Sequence, residues 1–475
     1  MLSRRLDRWL PGYAMGAPLR WWRRRRSHAG PRHVLLLVCD HFEPRHGMRH
    51  DGQDAERVAL WAAEYPRFRR RCLDAFGHAP KHTWFYPPHH GLEHLSALGR
   101  LAFEGCGEVE LHYHHDGDDS QSLRRGLKES LDEYHRRGLL LASGAPPRTA
   151  FAFVHGDWAL DNSRGGRFCG VNDEITILQE LGCWGDFTMP SGGEAQTRKT
   201  NAIYYAIDDP LRPRSHDRGP DARVGRRAPD GLFMMQGPLG INWRGPRWPR
   251  IENASLTTEN WGRPDRVPCW MDCHVHVRGR PEWVFVKLHA HGGPEKDHDA
   301  LFGERAFRLH ETLNRAYNDG VRNRLHYVTA REAYNIAKAA EAGAAGDPSP
   351  WRDFVIGPYV SARFWMDATH RVIECTDARL RVEGIEARAE VCVRLAQGPV
   401  RSVTGSLDAL EVEATRLRLR GRAGRVTLVL APGGGVTSLS GAAIAERDPQ
   451  EAGERLVLLA GAEVEALFTR GSAVL

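Results

Sequence analysis

Long hydrophobic runs are absent from this 475-residue chain, since no stretch of about 18 apolar residues occurs in it. Its nine cysteines lie scattered, without a CxxC pair or the dense spacing of a disulfide framework. The first absence argues against a membrane channel or transporter. The second indicates a reducing compartment.

Positive charge is only in modest excess, with a formal net charge of +6. Part of it lies in a basic N-terminal segment, residues 1–31, where Trp21 and Trp22 precede four arginines. We therefore expect no nucleic-acid partner. The segment is either a disordered tail or a peripheral contact with an anionic membrane surface. It lacks the apolar core of an export signal, which favours a cytoplasmic location.

Histidine and carboxylate are concentrated in the stretch 110–119, which holds three histidines and four acidic residues. Val109 and Leu111 lead into it as a buried strand would. Such a cluster is costly to bury unless something uses it. Imidazole and carboxylate together suit a divalent metal, with zinc first among the candidates. A solvated, His-rich loop is the alternative.

Apolar runs alternate with helical patterns through the first two thirds of the chain. The predicted strands are 33–40, 81–86, 108–113, 149–155, 186–190, 283–289 and 325–328. The predicted helices are 54–76, 92–103, 120–137, 173–181, 297–317 and 330–340. This alternation predicts a parallel sheet closed into a deformed (β/α) barrel. Residues 208–282 break the pattern and are expected to form an insertion.

The character of the sequence changes after a linker rich in Ala, Gly and Pro at 342–350. Short alternating runs follow, which predict a smaller C-terminal antiparallel β domain, sandwich-like, over residues 354–475. The barrel domain is assigned to residues 32–345. In such barrels the working groups lie where strands end. Glu174, by contrast, is expected on a solvated helix face.

Five segments together resemble the polysaccharide deacetylase family (carbohydrate esterase family 4), within the glycoside hydrolase and deacetylase superfamily. They are Leu36-Leu37-Val38-Cys39-Asp40-His41, Thr83-Trp84-Phe85, Gly107-Glu108-Val109-Glu110-Leu111-His112, Val286-Lys287-Leu288-His289 and Tyr327-Val328-Thr329-Ala330-Arg331-Glu332. The segments occur in the family's order over residues 32–341, although each motif is degenerate. The resemblance implies a metal-dependent barrel enzyme acting on carbohydrate.

The resemblance also implies roles for individual residues. Asp40 matches the family's catalytic base, and His289 its general acid. The implied metal ligands are His41 and His112, with His115 or Asp116 as the third. No counterpart of the family's Arg-Pro-Pro-Tyr-Gly motif is present, and Val154 to Trp158 occupy its place. Candidate substrate-binding residues at the strand ends are Trp84, His89, His155, Asp157 and Trp158.

The expected function is therefore that of a hydrolase removing acetyl or other acyl groups from an amino sugar in a polysaccharide or glycan precursor. A glycoside hydrolase on the same barrel is one alternative, because Asp40, Glu43, Asp157 and Asp186 offer the two carboxylates that it needs. A non-catalytic carbohydrate-binding protein is another. Trp84 and Trp158 can stack on sugar rings or simply fill the core.

Overall fold

Strand β1 (Arg32–His41) is buried along almost its whole length in the computed structural model, which describes residues 4–19, 30–245, 249–396, 398–450 and 453–469. Its apolar run permits this, because a strand covered on both faces needs no polar side. It pairs in parallel with three other strands. The basic segment with Trp21 and Trp22 lies outside the described residues apart from its first helix and its last two residues.

The strands that follow β1 in the first 330 residues fall into one large sheet and two small hairpins. They are β2 (His82–Tyr86), β3 (Gly107–Tyr113), β4 (Leu141–Ala142), β5 (Arg148–Thr149), β6 (Phe151–His155), β7 (Cys183–Asp186), β8 (Ala202–Ala206), β9 (Leu232–Gln236), β10 (Gly240–Asn242), β11 (Arg250–Glu252), β12 (Ser255–Leu256), β13 (Trp283–Ala290) and β14 (Asn323–Tyr327). The large sheet runs β12-β13-β1-β2-β3-β6-β7-β9-β8, with β14 also paired to β1. All its pairs are parallel except β8 with β9.

Isolated bridges connect the two ends of this sheet. Tyr204 of β8 pairs with Asp221, Arg223 pairs with Arg278, and Val275 pairs with Phe285 of β13. Side chains from both ends share one apolar cluster, including Leu35, Tyr205 and Phe285. The sheet therefore curls around a common interior, as the predicted deformed barrel requires.

The helices surround this sheet or belong to the second unit. They are α1 (Leu6–Met15), α2 (Gln53–Arg69), α3 (Leu95–Phe103), α4 (Ser120–His135), α5 (Glu174–Glu180), α6 (Val267–Cys273), α7 (His298–Leu301), α8 (Glu304–Tyr317) and α9 (Ala330–Glu341). Helix α9 begins where predicted because Thr329 and Glu332 form a capping box, each side chain bonding the other's backbone N–H. None of the described helices combines the length and the apolar character needed to cross a membrane.

The chain divides into two compact units. The first comprises Met1–Gly91, Cys106–Lys128 and Phe151–Ile356, and the second comprises Leu92–Gly105, Glu129–Ala150 and Gly357–Leu475. The last boundary falls just after the linker suggested by composition. Helix α3 and part of α4 group with the C-terminal unit, whereas the sequence pattern assigns both to the barrel. In the second unit, the Trp365 Nε1–H donates to the carbonyl of Ser96, at the start of α3.

Besides the small β4–β5 hairpin, the described residues of the second unit form one large antiparallel sheet. Its strands are β15 (Phe364–Met366), β16 (Arg371–Cys375), β17 (Arg379–Glu383), β18 (Arg388–Val393), β19 (Val400–Glu413), β20 (Arg416–Gly421), β21 (Gly424–Leu430), β22 (Val436–Gln450) and β23 (Gly453–Phe468). Strands β19, β20, β23 and β21 pair in a closed circuit. Register shifts in β19 let one long strand pair β21 and then β20. The two stacked sheets of a sandwich, expected from the sequence, are not what these strands form.

Several element boundaries differ from the sequence prediction for local reasons. Strand β7 ends at Asp186, because its carboxylate accepts from both the N–H and the hydroxyl of Thr188 and bends the chain. The predicted helix 54–76 stops at Arg69, and the helix 297–317 is two helices. The region 208–282 is not a featureless insertion, since β9 and β12 within it belong to the main sheet.

Candidate functional site

Alternation along β1 decides which of its last residues enter the barrel. Leu35, Leu37 and Cys39 lie in the interior cluster. Successive side chains of a strand point to opposite faces, so His41 continues this interior row and Asp40 faces the other way. The interior row thus delivers His41 to the end of the barrel where the parallel strands finish.

Histidines from three strand ends meet at this place, which we call the mouth. The ring centroid of His41 lies 5.0 Å from that of His112, which is on β3. It lies 4.8 Å from the ring of His291 and 6.4 Å from the ring of His289, at the end of β13. Two of the residues matched to family roles as ligands, His41 and His112, therefore lie side by side, with His289 nearby.

Three side chains at the mouth bring metal-type donor atoms together. Glu43, His112 and His114 each offer one such atom within 4.8 Å of the others. The Nε2 atoms of His112 and His114 are 3.0 Å apart. The Glu43 carboxylate lies 3.1 Å from His114 Nε2 and 3.8 Å from His112 Nε2. Two imidazoles and one carboxylate form a donor set found in catalytic zinc sites.

The protonation of these groups suits a cation. The Nδ1 atom of His112 lies 2.8 Å from the carbonyl of Val154, which directs the lone pair of Nε2 towards the other donors. Burial lowers the pKa of His41, His112 and His289, and neighbouring histidines lower it further. Burial favours a higher pKa for Glu43, but its hydrogen bonds with His112 and His114 outweigh this and place the pKa well below its usual range. These shifts keep His41, His112 and His289 neutral and Glu43 ionised, which are the forms that bind metal.

Two glycines allow the site to close up. A Cβ added to Gly156 would lie 2.4 Å from the ring of His114. A Cβ added to Gly292 would lie 2.1 Å from the carboxylate of Asp40. Real Cβ atoms do not approach so closely, so both positions depend on the missing side chain.

Asp40 has contacts unlike those of a base open to substrate. It is fully buried, and one carboxylate oxygen lies 2.8 Å from His82 Nε2. The other oxygen accepts from the backbone N–H of Gly292 at 2.6 Å. The indole N–H of Trp61, on α2, donates to the carbonyl of the same glycine. Asp40 therefore holds the segment that carries His291, on the face of the sheet that packs against helices.

The remaining sequence candidates other than Trp84 fall into three places. His115 and His155 lie in a second group of donor atoms, with Cys169 and Glu174. Asp116 accepts from the backbone N–H of Phe168. The other three lie beside the mouth histidines. The ring of Trp158 lies 5.4 Å from the ring of His41, and the ring of His89 lies 5.1 Å from the ring of His114. The carboxylate of Asp157 lies 3.5 Å from Nδ1 of His114.

Trp84 lies away from the mouth. Its side chain is fully buried and packs against Trp61 and Tyr65 of α2. Alternation explains this position, because neighbouring Phe85 faces the barrel interior. The structure places Trp84 in the helix-facing core, so a sugar cannot stack on it without rearrangement.

The sequence analysis assigned no metal-ligand role to His114, Glu43 or Glu174, although a signal for such a role existed for two of them. On an extended chain, residues two apart share a face, so His114 accompanies His112 whereas His115 does not. Glu174 is fully buried, contrary to the expected solvated position. It stands three and four residues before Ile177 and Leu178, on the apolar face of α5. Nothing local marked Glu43.

No protein-family model matches the chain. No curated protein matches it either. Among solved structures, it is similar to a provisionally named glycoside hydrolase/deacetylase from Parabacteroides distasonis, with 10% sequence identity, 81% of this chain and 82% of that chain covered, and a TM-score of 0.34. A TM-score of this size establishes neither a shared fold nor a shared activity, so the function proposed below depends on the site itself.

Proposed function

We propose that this chain is a metal-dependent hydrolase that removes an acyl group, in the first place acetyl, from an amino sugar of a polysaccharide or glycan precursor. The observation that carries the proposal is the convergence of Glu43, His112 and His114 at the barrel mouth. Their chemistry fits a divalent metal, with zinc as the first candidate. A carbohydrate partner and the sequence resemblance are parts of the same proposal.

Glu43, His112 and His114 would hold the metal, which when bound would supply Lewis-acid polarisation of an acyl carbonyl, worth several kcal/mol of transition-state stabilisation. The residues of the chain do the rest. His112 is oriented through its Nδ1 by Val154. His289 and His291 stand beside His41 and are placed to move protons to and from substrate. Trp158 offers an indole face next to these histidines for a sugar ring.

Asp40 takes a positioning role in this scheme, because both of its oxygens are already engaged by His82 and Gly292. Its assignment as the base stays a prediction based on the family resemblance. The two roles differ in how strongly Asp40→Asn lowers the rate of acetate release.

The proposal is tested by incubating the purified chain with chitin oligosaccharides and measuring acetate and new reducing ends. Acetate release that is lost with a chelator and restored by zinc supports a deacetylase. New reducing ends without acetate indicate a glycosidase instead. If neither product forms from these or other acylated glycans, and the chain binds no metal, the non-catalytic carbohydrate-binding alternative is supported.

A matched pair of variants ties the activity to the site. His112→Ala is expected to lose the mouth metal and acetate release together. His310→Ala removes an equally buried histidine that bonds Tyr327 instead of the mouth residues. It should keep both metal and activity in the folded fraction. Full metal retention in His112→Ala would contradict the proposed site.

A further inference from the structure

We propose a second, structural zinc site in this chain, held by His115, His155, Cys169 and Glu174. It goes beyond the proposed function, because none of the four residues belongs to the mouth set. One donor atom from each lies within 4.8 Å of all the others. Imidazole, thiolate and carboxylate are all zinc donors, and a closed set of four protein ligands is the arrangement of a structural zinc site.

The donor atoms lie at, or slightly closer than, the spacing of ligands around a tetrahedral ion. Ligand atoms about 2.0–2.3 Å from a zinc ion lie roughly 3.3–3.8 Å from one another. Here His155 Nε2 lies 2.9 Å from His115 Nε2. The Glu174 carboxylate is 3.2 Å from His115 Nε2 and 3.3 Å from His155 Nε2. Cys169 Sγ lies 3.6 Å from the other oxygen of Glu174. Small shifts outwards of the two rings accommodate the ion.

Both histidines are oriented as metal ligands usually are. His155 Nδ1 lies 2.5 Å from the carbonyl of Gly156, and His115 Nδ1 lies 3.1 Å from the carboxylate of Asp118. An Nδ1–H that donates to such an acceptor leaves a lone pair on Nε2. The two lone pairs then face each other at 2.9 Å, an arrangement that a cation between them would stabilise.

Two backbone N–H groups point at the cysteine sulfur. Cys169 is fully buried, and its sulfur accepts from the backbone N–H groups of Asn162 and Val171 at 3.4 and 3.5 Å. Burial and the Glu174 carboxylate raise the pKa of the Cys169 thiol above its ordinary value, and these two hydrogen bonds offset only part of the rise. The thiolate would therefore need the zinc ion beside it. The thiolate is the form of cysteine that ligates zinc.

The proposed zinc ion would stabilise a strained loop. The loop from residue 156 to residue 173 connects two of its ligands and carries Trp158 to the mouth. Asp157, Trp158, Asp161, Asn162 and Phe168 in this loop all have positive φ values, between 51° and 60°. Each such residue costs on the order of 1 kcal/mol or more unless the surroundings fix it. A metal joining His155, Cys169 and Glu174 would fix both ends of the loop.

The experiment counts zinc and identifies sulfur in its coordination. Two zinc ions per wild-type chain are expected by elemental analysis, and one in each of His112→Ala and Cys169→Ser. The cobalt-loaded wild type and His112→Ala should show a near-ultraviolet thiolate-to-cobalt charge-transfer band that Cys169→Ser lacks. Cys183→Ser, which alters a buried thiol outside the cluster, is the matched control and should keep both ions and the band.

Failure of this site is distinguishable from failure of the proposed function. If wild type binds one zinc that His112→Ala loses, or if the cobalt band persists in Cys169→Ser, the second site does not exist while the mouth site stands. Should Cys169→Ser not fold, X-ray absorption of zinc-loaded His112→Ala decides the question. One sulfur at about 2.3 Å from zinc supports the proposal, and a shell without sulfur overturns it.

Discussion

Gly156→Ala is the substitution for which the structure gives the sharpest expectation. The three heavy atoms nearest to the added Cβ, at 2.4, 2.5 and 2.8 Å, all belong to the ring of His114. Carbon atoms in contact stay about 3.5 Å apart, so the ring must move by about 1 Å. A metal–ligand bond tolerates only about 0.2 Å. The variant is therefore expected to lose His114 as a ligand.

Gly156→Ala should weaken metal binding and leave the stability of the fold unchanged. The side chain of His114 is 28% exposed, so its ring can swing outwards without disturbing the core. The melting temperature of the metal-free chain should change little. Affinity for the mouth metal should fall at least about 10- to 100-fold, the range seen when support for a ligand is removed. That corresponds to about 1.4 to 2.7 kcal/mol of binding free energy.

Competition with a chromophoric chelator measures this affinity in a double-mutant cycle. In a His114→Ala background the added methyl group meets no ring, so Gly156→Ala should cost almost nothing further. Gly193→Ala is the matched control, because its Cβ would have no neighbour within 4 Å. The reasoning is refuted if Gly156→Ala binds the metal like wild type, or if its cost is the same in both backgrounds.

Three further outcomes are expected. Burial lowers the pKa of His33 to about 4 and that of His326 to about 2. Below pH 6.5 the folded chain therefore binds fewer protons than the unfolded chain. The stability of the fold falls as a result when the pH drops from 6.5 towards 4. The loss of unfolding free energy between pH 7 and pH 4, measured by urea titration, should be on the order of 3 kcal/mol for each histidine. It should be smaller in a variant with both residues changed to Leu. Arg331→Met should lower the free energy of unfolding by about 3–5 kcal/mol in the same assay, because it leaves the buried carboxylate of Glu108 without its partner at 2.8 Å. Adding Glu108→Gln should recover part of that loss. The Asp40→Asn variant should keep the mouth metal. If Asp40 only positions its neighbours, acetate release should fall about tenfold. A fall of about 100-fold or more would identify Asp40 as the catalytic base.

The sequence by itself determined most of the regular elements of the barrel, because periodicity and caps are local properties. The apolar run 283–289 is strand Trp283–Ala290, and the predicted helix 330–340 is Ala330–Glu341 with its capping box. It also determined that histidines and carboxylates collect where parallel strands end. These features need no knowledge of distant contacts.

Only the tertiary structure decided which of these residues share a pocket. His112 and His115 are three residues apart, yet strand alternation sends them to different donor groups on either side of the sheet. Glu43 reaches the first group, and Glu174 the second, by long-range packing that no local pattern records. The closing bridges between β8 and β13 likewise come from an irregular region. Sequence periodicity reports which way a side chain faces, but the partner it meets depends on how the whole sheet curls.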